Sequence, residues 1–401
     1  MAGEVMITGL GVISALGRNT QENLDALLAE RSGIGPITVL ETRHRGVIPV
    51  AEVPFTDDAL GALAAPKSMR SWTRTALLGL TAVREALRQS GLDPATTRTG
   101  LISATTAGGI DKTEPIYDHF FLPVIPPASA QYLGTHDPGD HAERIAAELG
   151  FHDLVTTIST ACSSSANALI FGARLIRNGL LDAAVVGGAD ALCKFTVNGF
   201  NSLMILDKEP CRPFDRDRAG LNLGEAGAYL VLESAAHAQQ RGAKPFAKVS
   251  GYANTNEAFH ATASAPDGAG ALKAMQQALT SAGLSPQEVS YVNVHGTGTA
   301  NNDSSEGIAL LRLFGDRVPP FSSTKSFTGH TLGAAGAVEA IFSVLAIQHG
   351  VHYANLRFKN PIAEASLTPV LHTQRGMTVH HVLSNSFGFG GNNTSLVLSA
   401  P

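Results

Sequence analysis

The same order of residues occurs twice along this chain, and a repeated order implies two related structural units. In the first half Ala86-Leu87 is followed by Gly91-Leu92-Asp93-Pro94 and then Gly100-Leu101-Ile102-Ser103-Ala104. In the second, Ala278-Leu279 is followed by Gly283-Leu284-Ser285-Pro286 and then Tyr291-Val292-Asn293-Val294-His295. Each reads as a helix stopped by Gly and Pro, a short loop and a buried strand. Ala76, Leu77, Leu80, Val83 and Leu87 share one helical face before the first stop, as do Leu272, Met275 and Leu279 before the second. Val5 to Gly11 and Val249 to Asn254 read as strand starts broken by Gly, and residues 227–233 and 393–399 both end in Leu-Val-Leu strands. Chance likeness of Ala/Leu helices explains one match, not several in order. Two α/β halves are expected, residues 1–244 and 245–401. Alternating helices and apolar strands predict mainly parallel sheets covered by helices, with ligands at the carboxyl ends of strands.

Composition narrows the class. With 401 residues, 44% apolar and 16% charged, the chain can bury a large core. A net charge of −5 gives no reason to expect nucleic acid or an anionic membrane as partner. The three cysteines, Cys162, Cys193 and Cys211, are too few for a disulfide framework or a zinc site, so no metal and a reducing cytoplasm are expected. The opening Met1-Ala2-Gly3-Glu4 lacks a basic leader, and no apolar stretch approaches the length of about 20 residues that spans a bilayer, so a cytoplasmic protein is expected.

Reactive residues fall where strands give way to loops. Thr157 to Cys162 reads as a short buried strand, and Ser163-Ser164-Ser165 opens a helix running toward Gly179. Cys162 thus sits at a helix N-terminus, where unpaired N–H groups and the helix dipole favour a thiolate. The segment alone supports both a nucleophile and a small buried core cysteine; Cys193 and Cys211 are read as structural. His295 ends an apolar strand before Gly296-Thr297-Gly298-Thr299, a loop able to approach and hydrogen-bond a polar ligand. Asn302, Asp303 and Glu306 read as capping the next helix. A second histidine, His330, follows Lys325 through Gly329 and leads into a helix of small residues, on which Glu339 could neutralise a buried Lys325. Leu383 to Asn393 reads as a glycine-rich hairpin turn. No helix follows its glycines and no Gly-Lys-Ser/Thr occurs, so it is not a phosphate fingerprint.

Together these segments resemble the β-ketoacyl-acyl-carrier-protein synthases of the thiolase-like superfamily, in the elongating branch with a Cys-His-His site. The motifs in order are Thr160-Ala161-Cys162-Ser163-Ser164, Arg212-Pro213-Phe214-Asp215 with Gly224-Glu225, His295-Gly296-Thr297-Gly298-Thr299, Thr324-Lys325 with Gly329-His330, and Asn385-Ser386-Phe387-Gly388-Phe389-Gly390-Gly391. The resemblance implies a duplicated five-layered αβαβα thiolase-like fold. It implies that Cys162 is acylated, that His295 and His330 bind the extender thioester oxygen, and that Lys325 orients the second of them with Glu339 as its partner. It places Thr297 and Thr299 on the 4'-phosphopantetheine arm of an acyl carrier protein. Phe389 is implied as an aromatic gate whose N–H joins that of Cys162 in an oxyanion hole. No bound cofactor is implied, and the partners are the carrier protein and a second copy or a chain-length-type homologue. The carrier protein is expected near Lys67, Arg70 and Arg74.

Leu221-Asn222-Leu223 and Asn392-Asn393 depart from the housekeeping pattern, and Asn198 to Leu203 with Asn392-Asn393 is similar to synthases of aryl polyene clusters. Two alternatives share the fold: a thiolase-type acyltransferase, which uses a second cysteine in the C-terminal glycine turn, and a chain-length-type partner, which lacks the nucleophile. All three cysteines here precede residue 212, and Cys162 is present.

Overall fold

The computed structural model describes residues 3–401. Among the described residues twelve strands occur: β1 Val5–Ser14, β2 Thr99–Ala104, β3 Leu154–Ile158, β4 Ala183–Asp190, β5 Ala226–Ser234, β6 Ala247–Asn256, β7 Tyr291–Asn293, β8 Phe321–Ser322, β9 Val351–His352, β10 Gln374–Arg375, β11 His381–Gly388 and β12 Asn392–Ser399. β9 and β10 form a small ribbon, and the other ten join in the order β3-β2-β4-β5-β1-β6-β12-β11-β7-β8. Read from the middle outward, the two wings are the same: β1 matches β6, β5 matches β12, β4 matches β11, β2 matches β7 and β3 matches β8. Only Met6–Lys248 and Ile7–Ala247 pair across the junction.

Pairing direction corrects the expectation of mainly parallel sheets. Only β2 with β3 and β4, and β7 with β8 and β11, run parallel; the β1, β5, β6 and β12 pairings are antiparallel. Helical crossovers keep successive strands parallel, whereas β11 reaches β12 through a three-residue turn, which can only reverse the chain.

Six helices build the layers: α1 Arg74–Ser90, α2 Asp140–Leu149, α3 Ser164–Arg177, α4 Ala269–Ala282, α5 Ala300–Phe314 and α6 Ala335–His349. α1 and α4, the helices of the duplicated signature, stop at Gly91 and Gly283 with φ of 67° and 69°. The two Leu-Val-Leu strands show how the layers arise. Leu230, Leu232, Leu396 and Leu398 face a central core shared with α3 and α6. Val231 faces an outer core with α1 and α2, and Val397 faces the opposite outer core with α4 and α5. Strands buried on both faces need helices on both, and the result is helix, sheet, helix, sheet, helix. The central helices touch where Gly336 meets Ala166; a Cβ there would lie 2.8 Å from the Ala166 backbone and side chain.

The segment Leu332–His349 is long and apolar enough to cross a membrane. That corrects the expectation that no stretch approaches this length. The segment contains α6 and lies in the central layer, where its apolar character is satisfied by packing rather than by lipid.

Candidate active site

The elbow before Cys162 is strained. Ala161 adopts φ of 53°, an unfavourable conformation for a residue with a Cβ. Ser164 holds it: its Oγ donates to Ala161 O (2.5 Å) and accepts from Thr160 N–H (2.8 Å). The turn places Cys162 just ahead of α3, against a cavity of about 310 Å³ also lined by His295, His330, Thr297, Thr299, Phe387 and Phe389. Residues more than 100 positions apart thus meet at one site.

Electrostatics correct one expectation. Burial pushes the Cys162 thiol up to about 12, outweighing Lys325 and the N–H groups of Phe389 and Cys162, which favour the thiolate. Loss of water around a buried charge, with the Asp190 carboxylate adding to it, thus favours the thiol at this sulfur. Cys193 and Cys211 are buried elsewhere, Cys193 beside Thr196 and Cys211 beneath the Lys325 carbonyl.

His295 and His330 stand edge to face, ring centroids 5.5 Å apart at 87°. Burial holds both pKa values well below the ordinary imidazole value, and the Lys325 charge adds to this. Lys325 corrects the assignment made from resemblance. Its Nζ lies 3.2 Å from His295 Nδ1 and 2.8 Å from His295 O, and it is ion-paired with Glu339; it orients the first histidine, not the second. An ammonium can only donate, so His295 Nδ1 accepts and the ring's proton sits on Nε2. His330 is set instead by its backbone: its N–H donates to Asn222 O (2.7 Å) and its carbonyl accepts from Gly224 N–H (2.9 Å). Leu221-Asn222-Leu223 can therefore depart in side chain from familiar sequences while keeping these bonds. His330 Nδ1 is buried without a hydrogen-bond partner among the described residues.

Neither Asp303 nor Glu306 caps the helix that carries it. The cap residue of α5 is Thr299. Glu306 instead accepts the N–H groups of His295 (2.9 Å) and Gly296 (2.8 Å), and Asp303 accepts those of Phe214 (2.8 Å) and Gly298 (3.2 Å). Burial pushes Glu306 up to about 7. Acids three apart on a helix behind a Gly loop were the available signal, since that spacing puts both on one face. Thr297 and Thr299 share a hydroxyl–hydroxyl bond of 2.9 Å at the cavity wall. Phe389 stacks on Phe200 at 5.9 Å and 18°.

Of the three basic residues expected on the surface, Lys67 and Arg70 are exposed. Arg74 is not: it is 5% exposed, and its guanidinium binds Glu225 (2.7 and 2.9 Å) and Asp57 (3.0 Å). It opens α1 with its side chain turned inward, so it presents no free charge to a partner.

A buried thiol facing two neutral imidazole rings, with two hydroxyls at the wall and no acid in the lining but Glu257, suits acyl transfer through a thioester. The comparisons agree. Residues 2–238 match "Beta-ketoacyl synthase, N-terminal domain" and residues 246–359 match "Beta-ketoacyl synthase, C-terminal domain". The "3-oxoacyl-[acyl-carrier-protein] synthase 2" of Rhizobium meliloti (strain 1021) is 35% identical, covering 98% of this chain and 98% of that protein. The "Tetracenomycin polyketide synthase ketoacyl synthase alpha subunit" of Streptomyces glaucescens is 34% identical over 99% of this chain and 97% of its own. Among solved structures, "The ishigamide ketosynthase/chain length factor" superposes with a TM-score of 0.93 at 32% identity, covering 100% of both chains. The chain belongs to the β-ketoacyl synthase family, and its fold is thiolase-like.

Proposed function

We propose that this chain is a β-ketoacyl-acyl-carrier-protein synthase that loads an acyl group on Cys162 and extends it with malonyl-carrier protein, in fatty acid, polyketide or aryl polyene biosynthesis. The observation that carries the reading is the shared cavity of Cys162, His295 and His330, with Lys325 fixing the His295 tautomer. The half 1–244 supplies the nucleophile and the half 245–401 the two histidines and Lys325.

In the first half-reaction the Cys162 sulfur attacks an acyl thioester. The thiol proton leaves with the departing carrier thiol, and the N–H groups of Cys162 and Phe389 stabilise the developing oxyanion. In the second, malonyl thioester loses carbon dioxide. His295 Nε2–H and His330 donate to the thioester oxygen as enolate charge develops; the carbanion then attacks the acyl carbonyl carbon, forming the new C–C bond and expelling Cys162 thiolate, which takes up a proton from solvent to restore the thiol. Neutral rings suit this task, because they stabilise the enolate without protonating its carbon. Thr297 and Thr299 hold the 4'-phosphopantetheine arm, Phe389 gates the acyl pocket, and Lys67 and Arg70 dock the carrier protein. A second copy or a chain-length-type homologue completes a dimer in the cytoplasm. A chain-length role alone is disfavoured by Cys162, and a thiolase role by the absence of cysteine from residues 385–393.

Intact mass after mixing with an acyl thioester tests the assignment. One acyl adduct is expected, absent in Cys162→Ala; no adduct on the wild-type chain would reject it.

A further inference from the structure

The glycine turn and the nucleophile elbow meet at a side chain that the resemblance assigns no role. Asn392 opens β12 directly opposite Gly388, so it closes the turn carrying Phe389. Its Oδ1 accepts from Ser163 Oγ (2.7 Å), Asn254 Nδ2 (2.8 Å) and Asn167 Nδ2 (3.1 Å). Asn167 Nδ2 also reaches Thr160 Oγ1 at 2.8 Å. One carboxamide oxygen therefore gathers the elbow, the first turns of α3 and the end of β6 onto the base of the turn.

Two further contacts give this junction its function. Gly388 lies against the elbow so closely that a Cβ would sit 2.9 Å from Thr160 O and 3.3 Å from Cys162 N. Ser163, next to the sulfur-bearing residue, has a single hydroxyl proton and two close acceptors, Thr160 O and Asn392 Oδ1, each at 2.7 Å, with Thr160 Oγ1 farther off at 3.1 Å. One position of that proton keeps the elbow to itself; the other ties it to the turn.

We propose that Asn392 is a positioning residue that locks the Phe389 turn onto the Cys162 elbow through Ser163, holding the Phe389 and Cys162 N–H groups at a common oxygen site. The inference rests on the reading of Cys162 as the acyl acceptor. Acyl transfer needs both N–H groups, whereas decarboxylation at the two histidines does not. Loosening the lock should divide the two half-reactions, an effect that general destabilisation does not produce.

The test compares the rate of acyl-adduct formation on Cys162 with release of labelled carbon dioxide from malonyl-carrier protein. Asn392→Ala is expected to slow acylation by about tenfold or more, the scale of a lost oxyanion donor, while decarboxylation falls less than about twofold. Asn392→Asp is expected to acylate within about threefold of wild type, because a carboxylate still accepts from Ser163, Asn254, Asn167 and, at 3.4 Å, Thr394, and only the long Nδ2 bond to Asn254 Oδ1 (3.5 Å) is lost. Ser163→Ala should reproduce the split, and adding it to Asn392→Ala should cause little further loss. Should Asn392→Ala fold poorly, Ser163→Ala and Asn392→Asp carry the test. Acylation at the wild-type rate in both alanine variants, equal loss of both half-reactions, or failure of Asp to restore acylation would overturn the inference. A wild-type chain that forms no adduct would overturn it together with the proposed function, and that result is distinct from the others.

Discussion

Lys325 has three protons to donate and three buried partners to take them: His295 Nδ1, His295 O and Glu339. Its removal should therefore act through His295. Lys325→Ala is expected to slow decarboxylation by about 10–100-fold, the usual loss when a histidine's orienting partner goes, and to add little to His295→Ala in the double variant. Carbon dioxide release checks this; a full additional loss in the double variant would separate the two residues. Glu339→Gln leaves the Lys325 charge buried alone and should destabilise by about 3–5 kcal/mol, read from the urea midpoint. Arg74→Ala strands Glu225 in the same way and belongs to that range, whereas Lys67→Glu should change stability by only about 0.5 kcal/mol and act on carrier KM instead. Cys162, His295 and Phe389 were legible because each sits in a short motif just after a strand, and His330 because its motif leads into a helix of small residues. The partner of Lys325 was not, because 30 residues separate it from His295 and 5 from His330, and sequence proximity favoured the wrong ring. Arg74 was misplaced for a related reason: a basic residue at a helix start looks solvated until Glu225, 151 positions away, is seen beneath it.

Among elements, the central pair α3 and α6 does the joining, since α3 follows Cys162 and α6 carries Glu339. Their contact at Gly336 has no room for a branched side chain. Gly336→Val should destabilise by about 1–3 kcal/mol through overpacking, measured by denaturant unfolding, and Gly336→Ala by less. An unchanged midpoint for Val would mean that the helices separate freely. Helices and buried strands were readable from spacing and from their Gly stops. Strand direction was not, because the Leu-Val-Leu runs of β5 and β12 look the same in parallel and antiparallel pairings. The caps assigned to Asp303 and Glu306 failed likewise: the residue types suit a helix start, and only the fold shows that N–H groups of the preceding loop, and of the distant Phe214 for Asp303, reach them first.

At the scale of the whole molecule, burial of neutral imidazole makes stability depend on pH. His141 illustrates it. The ring lies between Ser103 Oγ (2.5 Å) and Pro138 O (2.7 Å), with its Nδ1 proton donated to the carbonyl and Nε2 accepting, and burial lowers its pKa to about 4. Unfolded, the same histidine takes a proton near its ordinary value of about 6.5. Between pH 6.5 and 4 the unfolded chain thus binds more protons than the folded one at this position, so stability from His141 is full above the window and lost as pH falls through it. Glu306 and Asp111, both raised to about 7, act with the opposite sign, so overall stability alone does not isolate the effect. The difference between variants does: the Tm deficit of His141→Gln relative to wild type should shrink as pH is lowered from 7 toward 4.5. A deficit constant with pH would contradict the assignment of a neutral buried ring.

The division of labour between one thiol and two imidazoles is the centre of this account, and release of labelled carbon dioxide from malonyl-carrier protein tests it most directly. Cys162→Ala keeps both histidines and Lys325 and is predicted to retain decarboxylation while forming no β-ketoacyl product. His295→Ala and His330→Ala, with the thiol intact, are predicted to lose it. Decarboxylation at the wild-type rate in both histidine variants, or β-ketoacyl product from Cys162→Ala, would contradict the account.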